Sequence, residues 1–402
     1  MTGSRLSRHS NSSTRSRQTG SDRGDKTTGR PGCNRPHRTE DTTVSEQWTH
    51  RTSARVKEED MKKLVVTLAA ACSIAATAGL ADDKIVLGKI PFTLEHSYHQ
   101  SIVEIFSDYA EKNYGAETIV VDGQASSESS LSAVENLIAQ KVDGIALHSP
   151  DIGMTATAVE AAHKAGIPIV TTLIYPSTKT APHIQPKEEF SSFRMGEVAA
   201  EQWMTAFPDK PVKVAILNFG GFEQIAKLRT EPFFKGVQSV APDAELVAMQ
   251  NGFGSTIKSM EVMLDILQAN PDVNIIFGAN DDMALGALAA TEQLGRGKMK
   301  DGAPLTEIIA GVDGGENAMV KVFNPNSSFK LTHGQVRDNG RAEVDTLMAM
   351  IEGTIEMDKW LEVQTLSPEF DYWNSSVPAA QKFLEENFGF EKDLQALVDT
   401  QR

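Results

Sequence analysis

The feature that most constrains this chain is a rhythm. From residue 84 onward, apolar runs of strand length alternate with runs of helix length, and the series occurs twice. KIVLGKI (84–90), ETIVVDG (117–123), VDGIALHS (142–149) and IPIVTTLI (167–174) read as strands. Between them, 98–113, 127–140 and 153–165 read as helices, the last ended by Gly166. A second series follows: helix 194–207, strand VKVAILNF (212–219), helix 222–240, strand 245–249, helix 255–269, strand 273–279, helix 282–294 and strand EIIAGVD (307–313). Near residues 180–193 the Pro-rich polar stretch TKTAPHIQPKEEFSS reads as an irregular break between the two. Near-continuous apolar strands joined by helices require parallel sheets covered on both faces. The expected fold is α/β: two Rossmann-like lobes, each a parallel sheet flanked by helices, joined by a hinge with a ligand cleft between them.

The first 81 residues do not share this pattern. Residues 1–60 are rich in Ser, Thr, Arg and Gly, with few apolar residues, and such a composition is expected to stay disordered. It lacks the apolar helical period that a helix-turn-helix needs. Met61-Lys62-Lys63, the apolar run LVVTLAAACSIAATA (64–78) and the small residues before Asp82 read as a signal peptide over 61–81, with Met61 as the natural start. Cys72 suits a lipid anchor poorly, because Ala69 stands where Leu is usual. Cys33 is the other cysteine, so a chain beginning at Asp82 has no thiol chemistry. Of 39 basic and 54 acidic residues, 12 and 8 lie in 1–60 and two lysines follow; this leaves 25 against 46, or net −21, which argues against nucleic acid as a partner.

In open α/β sheets, ligands sit beyond the carboxyl ends of the strands. The polar residues found there are Glu95, His96, Tyr98 and His99; His148, Ser149 and Asp151; Tyr175; Asn218; Phe253; Asn280; Asp313; and, from LTHGQVRDNG (331–340), His333, Gln335 and Arg337, with Arg229 one helix beyond its strand. Several have a plainer use. Asp281 and Asp282 are expected to cap the following helix, leaving Asn280 to face a ligand. Asp313 before Gly314-Gly315 also suits a turn. Phe253 suits a core as well as a ligand platform, and His163 and His183 read as surface residues. Glu95, His96 and His99 have no partner motif that would make them a zinc site. Neither a G-x-S-x-G elbow nor a phosphate loop is present. What remains is a mixed set of amides, imidazoles, an arginine, a carboxylate and aromatics. Planar polar groups hydrogen-bond adjacent hydroxyls in pairs, and aromatic faces cover the C–H side of a sugar ring.

FGANDDMALGALAA (277–290), IIAGVDGGENA (308–318) and LTHGQ (331–335) resemble the periplasmic sugar-binding proteins of ABC importers, the ribose-binding branch most of all, and the resemblance covers nearly all of 84–345. It implies a secreted periplasmic protein that captures a small sugar or polyol between its lobes and delivers it to a membrane permease. No cofactor, metal, nucleic-acid partner or enzymatic activity is implied, and a monomer is expected. The implied lobes are 82–187 with about 336–365, and 188–335 with about 366–402. The implied contacts are Arg229, Asn280, Asp313 and Gln335, with His96, Tyr98, His99 and His148 at further contact positions; Tyr175 and Phe253 complete the candidate set. The branch carries an Asp-Arg pair where this chain has Leu173 and Ile174, which puts a ribose-type pyranose in doubt. An α/β sugar-processing enzyme and a sugar-sensing partner of a chemoreceptor or kinase are the alternatives.

Overall fold

The computed structural model describes residues 84–401 other than Gln335. The expectations for residues 1–60, for the signal segment 61–81 with Cys72, and for Gln335 lie outside the described residues. The first sheet is built from β1 (Val86–Ile90), α1 (Ser97–Tyr114), β2 (Glu117–Val120), α2 (Ser127–Gln140), β3 (Gly144–Leu147), α3 (Ile152–Ala165), β4 (Ile169–Thr172) and β5 (His183–Pro186). The chain then enters the second unit through α4 (Glu188–Ala206), β6 (Lys213–Asn218) and α5 (Glu223–Ile225). A π-helical stretch (Ala226–Thr230) leads on into α6 (Glu231–Val240). Then come β7 (Glu245–Asn251), α7 (Thr256–Ala269), β8 (Ile275–Gly278), α8 (Asp281–Gln293), a small hairpin of β9 (Met299–Lys300) and β10 (Ala303–Pro304), β11 (Ile308–Ala310), α9 (Glu316–Phe323) and β12 (Phe329–His333). The chain returns with α10 (Val336–Ile351) and β13 (Glu362–Thr365), and finishes with β14 (Glu369–Asp371), α11 (Val377–Phe388) and α12 (Leu394–Thr400).

Among the described residues there are two six-stranded sheets, ordered β13-β5-β4-β3-β1-β2 and β14-β12-β11-β8-β6-β7. All pairings in both are parallel except β12 with β14. Strands β3, β4, β8 and β12 are buried along their whole length, because helices cover both faces of each sheet. The strand order reverses between β1 and β3 in one sheet and between β6 and β8 in the other, and at such switch points a crevice opens beyond the strand ends.

Local chemistry sets many of the boundaries. Ser126, Asp151, Ser255 and Ser376 each accept a backbone N–H as N-caps of α2, α3, α7 and α11. The stretch near 180–193 is not irregular. It holds β5, a fully buried strand, and the first turn of α4. Its polar composition conceals this because its polar groups satisfy one another. His183 bonds Thr171 Oγ1 through Nδ1 (2.8 Å) and Gln185 Oε1 through Nε2 (3.1 Å), and its ring stacks on Tyr175 and Trp360. His183 is therefore a core residue with 0% exposure, not a surface one.

The expected helix 222–240 is also interrupted. Pro232 lies in the first turn of α6, where a proline ring crowds the carbonyl four residues back, here Leu228. The chain ahead of it widens into the π-helical turn that carries Arg229.

Helices α4 and α6 meet at glycines. A Cβ on Gly196 would stand 2.0 Å from the Phe233 carbonyl oxygen, and one on Gly236 would stand 2.0 Å from that of Phe193. The contact is backbone against backbone and has no slack. Gly236→Ala is expected to lower stability by about 2–3 kcal/mol, read from chemical-denaturation midpoints. Gly353, whose Cβ would meet nothing within 4 Å, serves as the control, limited to the strain of its positive φ.

The chain crosses between the sheets at 186–188, at 333–336 and at 365–369. The crossings are tied to one another. Lys187 N donates to Thr365 O (3.1 Å) and Gly334 N to Pro368 O (3.0 Å). His333, at the end of β12, contacts Ser192 Oγ (3.2 Å) and Ser367 Oγ (2.7 Å).

Candidate functional site

A cavity lies where the two switch points face each other. From the first lobe it is lined by Phe92, His96, Tyr98, His99, His148, Pro150, Leu173 and Ile174. From the second it is lined by Phe219, Phe222, Ile225, Arg229, Asn280, Asp282 and Asp313. Most polar members sit where a strand ends or a helix begins. His96 precedes α1, and Tyr98 and His99 lie in its first turn; His148 follows β3; Asn280 follows β8; Asp313 follows β11.

The first-lobe wall is an aromatic cluster. His99 sits 5.0 Å from Tyr98, 5.0 Å from His148 and 5.6 Å from Phe92, centroid to centroid, and His96 stacks on it at 5.9 Å. Phe92 meets Phe222 of the second lobe edge-on at 6.1 Å. Burial first, then the positive charges of Lys89 and Arg229, pushes His148 down to about 3. Burial, with the neighbouring imidazoles, takes His99 well below the ordinary range. Both rings are therefore neutral at pH 7, so each presents one donor and one acceptor nitrogen.

The second-lobe wall carries the charge. Arg229 is 4% exposed and Glu188 0%. Arg229 Nε and Nη2 donate to the two Glu188 oxygens at 3.1 and 2.6 Å, while Nη1 donates to Ala279 O (2.7 Å) and lies 3.8 Å from Asp313 Oδ1. Burial opposes the Arg229 charge, but Glu188 and Asp313 more than reverse that effect. For Asp313, burial raises the pKa well above the carboxylate range despite Arg229, and the charges of Asp281 and Asp282 add to the rise. Its backbone is in a region that side chains seldom occupy (φ 123°), as is that of Leu173 (φ 68°). Leu173 turns the chain so that it and Ile174 face the cavity.

The opening of α8 keeps Asn280 at the cavity as expected but moves the cap from the aspartates to it. Asn280 is the N-cap, with Oδ1 accepting from Met283 N at 2.9 Å, and it lines the cavity at the same time. Asp282 is not a cap: it lines the cavity and accepts from Thr256 Oγ1 (3.2 Å). Asp281 turns inward, accepting from Thr332 Oγ1 (2.7 Å) and Gly315 N (2.9 Å), and so secures the loop that presents Asp313. An amide serves both purposes because its oxygen satisfies the helix while its NH2 points away from it, donating to Gly254 O at 3.5 Å.

Of the candidate residues, His96, Tyr98, His99, His148, Arg229, Asn280 and Asp313 come together in this cavity. Tyr175 does not. It lines a separate groove with Glu362 and Leu366, and its backbone is clasped by the Gln224 amide, which accepts from Tyr175 N (2.6 Å) and donates to Tyr175 O (3.1 Å). Phe253 is 62% exposed on a left-handed turn with Gly254, outside the cavity lining. Phe92, Phe219 and Phe222 provide the aromatic surface instead. Glu188 and Asp282 were missed for one reason: a glutamate or aspartate in a first turn looks like a helix-dipole partner on the surface.

Two parallel α/β lobes, three crossings among the described residues and a cleft lined from both sides define a two-lobed solute-binding architecture. The chain belongs to the periplasmic binding protein family, whose domain model matches residues 87–355. It is 30% identical over 254 residues to the ribose import binding protein of Escherichia coli, covering 61% of this chain and 82% of that one. It is 29% identical over 231 residues to the ribose import binding protein of Bacillus subtilis, covering 57% and 70%. A crystal structure of an ABC transporter periplasmic solute-binding protein from Actinobacillus succinogenes, with bound D-allose, matches with TM-score 0.61 and 25% identity over 72% of this chain and 98% of that one.

The buried imidazoles carry a pH signature. His99, His148, His183 and His333 are all held below the ordinary histidine value, mainly by burial, so between about pH 4 and 6.5 the unfolded chain binds more protons at these sites. Stability contributed by their neutral forms is present above pH 6.5 and is lost on acidification. Burial raises Asp281 to about 7 and raises Asp313 and Glu369, which gives the opposite sign, but four histidines outnumber three carboxylates. Urea-unfolding free energies should fall from pH 6.5 to 5, and His148→Gln should flatten that slope by about 1.4 kcal/mol per pH unit at most.

Proposed function

We propose that this protein captures a small sugar or polyol between its lobes and delivers it to the permease of an ABC importer. The observation that carries the reading is the cavity itself, in which neutral imidazoles, an amide, carboxylates and aromatic faces converge from the strand ends of both sheets. That set suits hydroxyls on one side and C–H surface on the other. Its relatives in the family are import binding proteins, which supports a binding role over catalysis. With the cavity half-lined by Phe92, Leu173, Ile174, Phe219, Phe222 and Ile225, the ligand has a substantial apolar face.

The proposed moving units are 82–187 with about 336–365, and 188–335 with about 366–402. Phe92 against Phe222 and the Gln224 clasp on Tyr175 are the contacts that closure would make and opening would break. We place the working protein in the periplasm as a monomer, exported by the segment 61–81. A thermal-shift screen of the purified protein against sugars and polyols tests the reading, because a ligand present at a hundred times its Kd raises stability by about 2.7 kcal/mol.

Two outcomes are expected once a ligand is in hand. Scattering should show a smaller radius of gyration with ligand than without it, and an unchanged radius would count against a hinge. Asp313→Ala should weaken binding by about 1.5–3 kcal/mol, roughly tenfold to a hundred-and-fiftyfold in calorimetric Kd.

A further inference from the structure

Arg229 is the one permanent cation among the residues lining the cavity. An arginine in such a place is a ready receptor for a ligand carboxylate or phosphate, because its planar fork matches two oxygens at once. Here its Nε–Nη2 edge is already taken. Nε and Nη2 face the two oxygens of Glu188, which is fully buried and does not line the cavity. Nη1, the remaining arm, donates to the Ala279 carbonyl and faces Asp313. The other ionisable groups on the lining are Asp282, Asp313, Tyr98 and three imidazoles. The buried Lys89 behind the first-lobe wall is likewise matched, to Glu343. The cavity thus presents carboxylates and no unmatched cation.

We propose that Glu188 is a specificity-determining residue: it occupies the fork of Arg229 from behind the wall, so the cavity accepts uncharged or amine-bearing sugars and polyols and refuses sugar acids and sugar phosphates. The inference rests on the sugar-capture reading and adds charge selectivity to it. Glu188 is placed to do this by the fold. It opens α4 directly after the first crossing, and the glycine contacts between α4 and α6 hold that helix against the turn bearing Arg229.

The test uses matched pairs in calorimetry and thermal shift: D-galactose with D-galacturonate, D-glucose with D-glucuronate, D-ribose with D-ribose 5-phosphate, and D-glucosamine as the amine. The wild type should bind a neutral member and discriminate at least about a hundredfold against its acidic counterpart, equivalent to two factors of ten in Kd. Glu188→Gln frees the fork and should narrow that ratio at least tenfold, through a gain for the acid. A purely structural Glu188 would weaken both members alike and leave the ratio unchanged, which would overturn the proposal.

Glu188→Gln strands a buried guanidinium, so the double variant Glu188→Gln/Arg229→Met gives a second reading. It removes both charges, and its neutral-to-acid ratio should stay within about threefold of wild type; a tenfold change would overturn the proposal. A wild type that binds a sugar and its acid equally well sinks the selectivity inference alone. One that answers to no member of a wider sugar and polyol panel sinks the sugar reading, and the inference with it.

Discussion

The pairing of Arg229 with Glu188 is the interaction on which the site depends. Two full charges in a nearly waterless place are unfavourable unless geometry and further hydrogen bonds compensate them, and removing either partner leaves the other stranded. Compensation here is structural. The Gly196 and Gly236 contacts bring α4 to backbone distance from α6, the π-helical turn before Pro232 aims Arg229 at the gap, and the Ala279 carbonyl takes a third N–H. Glu188 stands two residues after Pro186, at the end of the first crossing, so the partner of Arg229 is carried by the crossing itself.

A second economy runs through the cavity. Half of its polar lining groups are neutral: two imidazoles kept unprotonated by burial, a phenol and an amide. Neutral groups lose less on desolvation than ions, so they can be packed against Phe92, Phe222 and Leu173 without counter-charges. The guanidinium and the carboxyl groups are confined to the second-lobe side, where Asp313 lies 3.8 Å from Arg229 and Asp282 lines the same wall. Asp281 sits behind them in full burial, and its two accepted hydrogen bonds shape the Asp313 loop.

The crossings are tied at one residue. His333 ends β12, and its two ring nitrogens contact the hydroxyls of Ser192, in α4 just past the first crossing, and Ser367, in the third. A neutral ring does this with one nitrogen donating and one accepting. Burial, with the Arg229 charge adding to it, holds His333 well below the ordinary histidine value and keeps that arrangement available at neutral pH.

The alternation of apolar and amphipathic runs was enough to specify two helix-covered parallel sheets, because period and strand apolarity are local properties of the chain. The same rhythm located the strand ends, and with them His96, Tyr98, His99, His148, Asn280 and Asp313, since the crevice opens beyond the carboxyl ends of parallel strands. Other features depended on contacts between segments distant in sequence. HIQP became a buried strand only because Thr171, Tyr175 and Trp360 satisfy His183. Tyr175 and Phe253 left the site because left-handed turns at Leu173 and Phe253 redirected the chain, and no neighbour in sequence announces such a turn. Which carboxylate caps α8, which faces the ligand and which braces a loop was decided by Thr256, Thr332 and Gly315 approaching from other strands and helices. Glu188 was illegible for the same physical reason: a glutamate enters a core only when a matching cation is already there, and that cation lies 41 residues away.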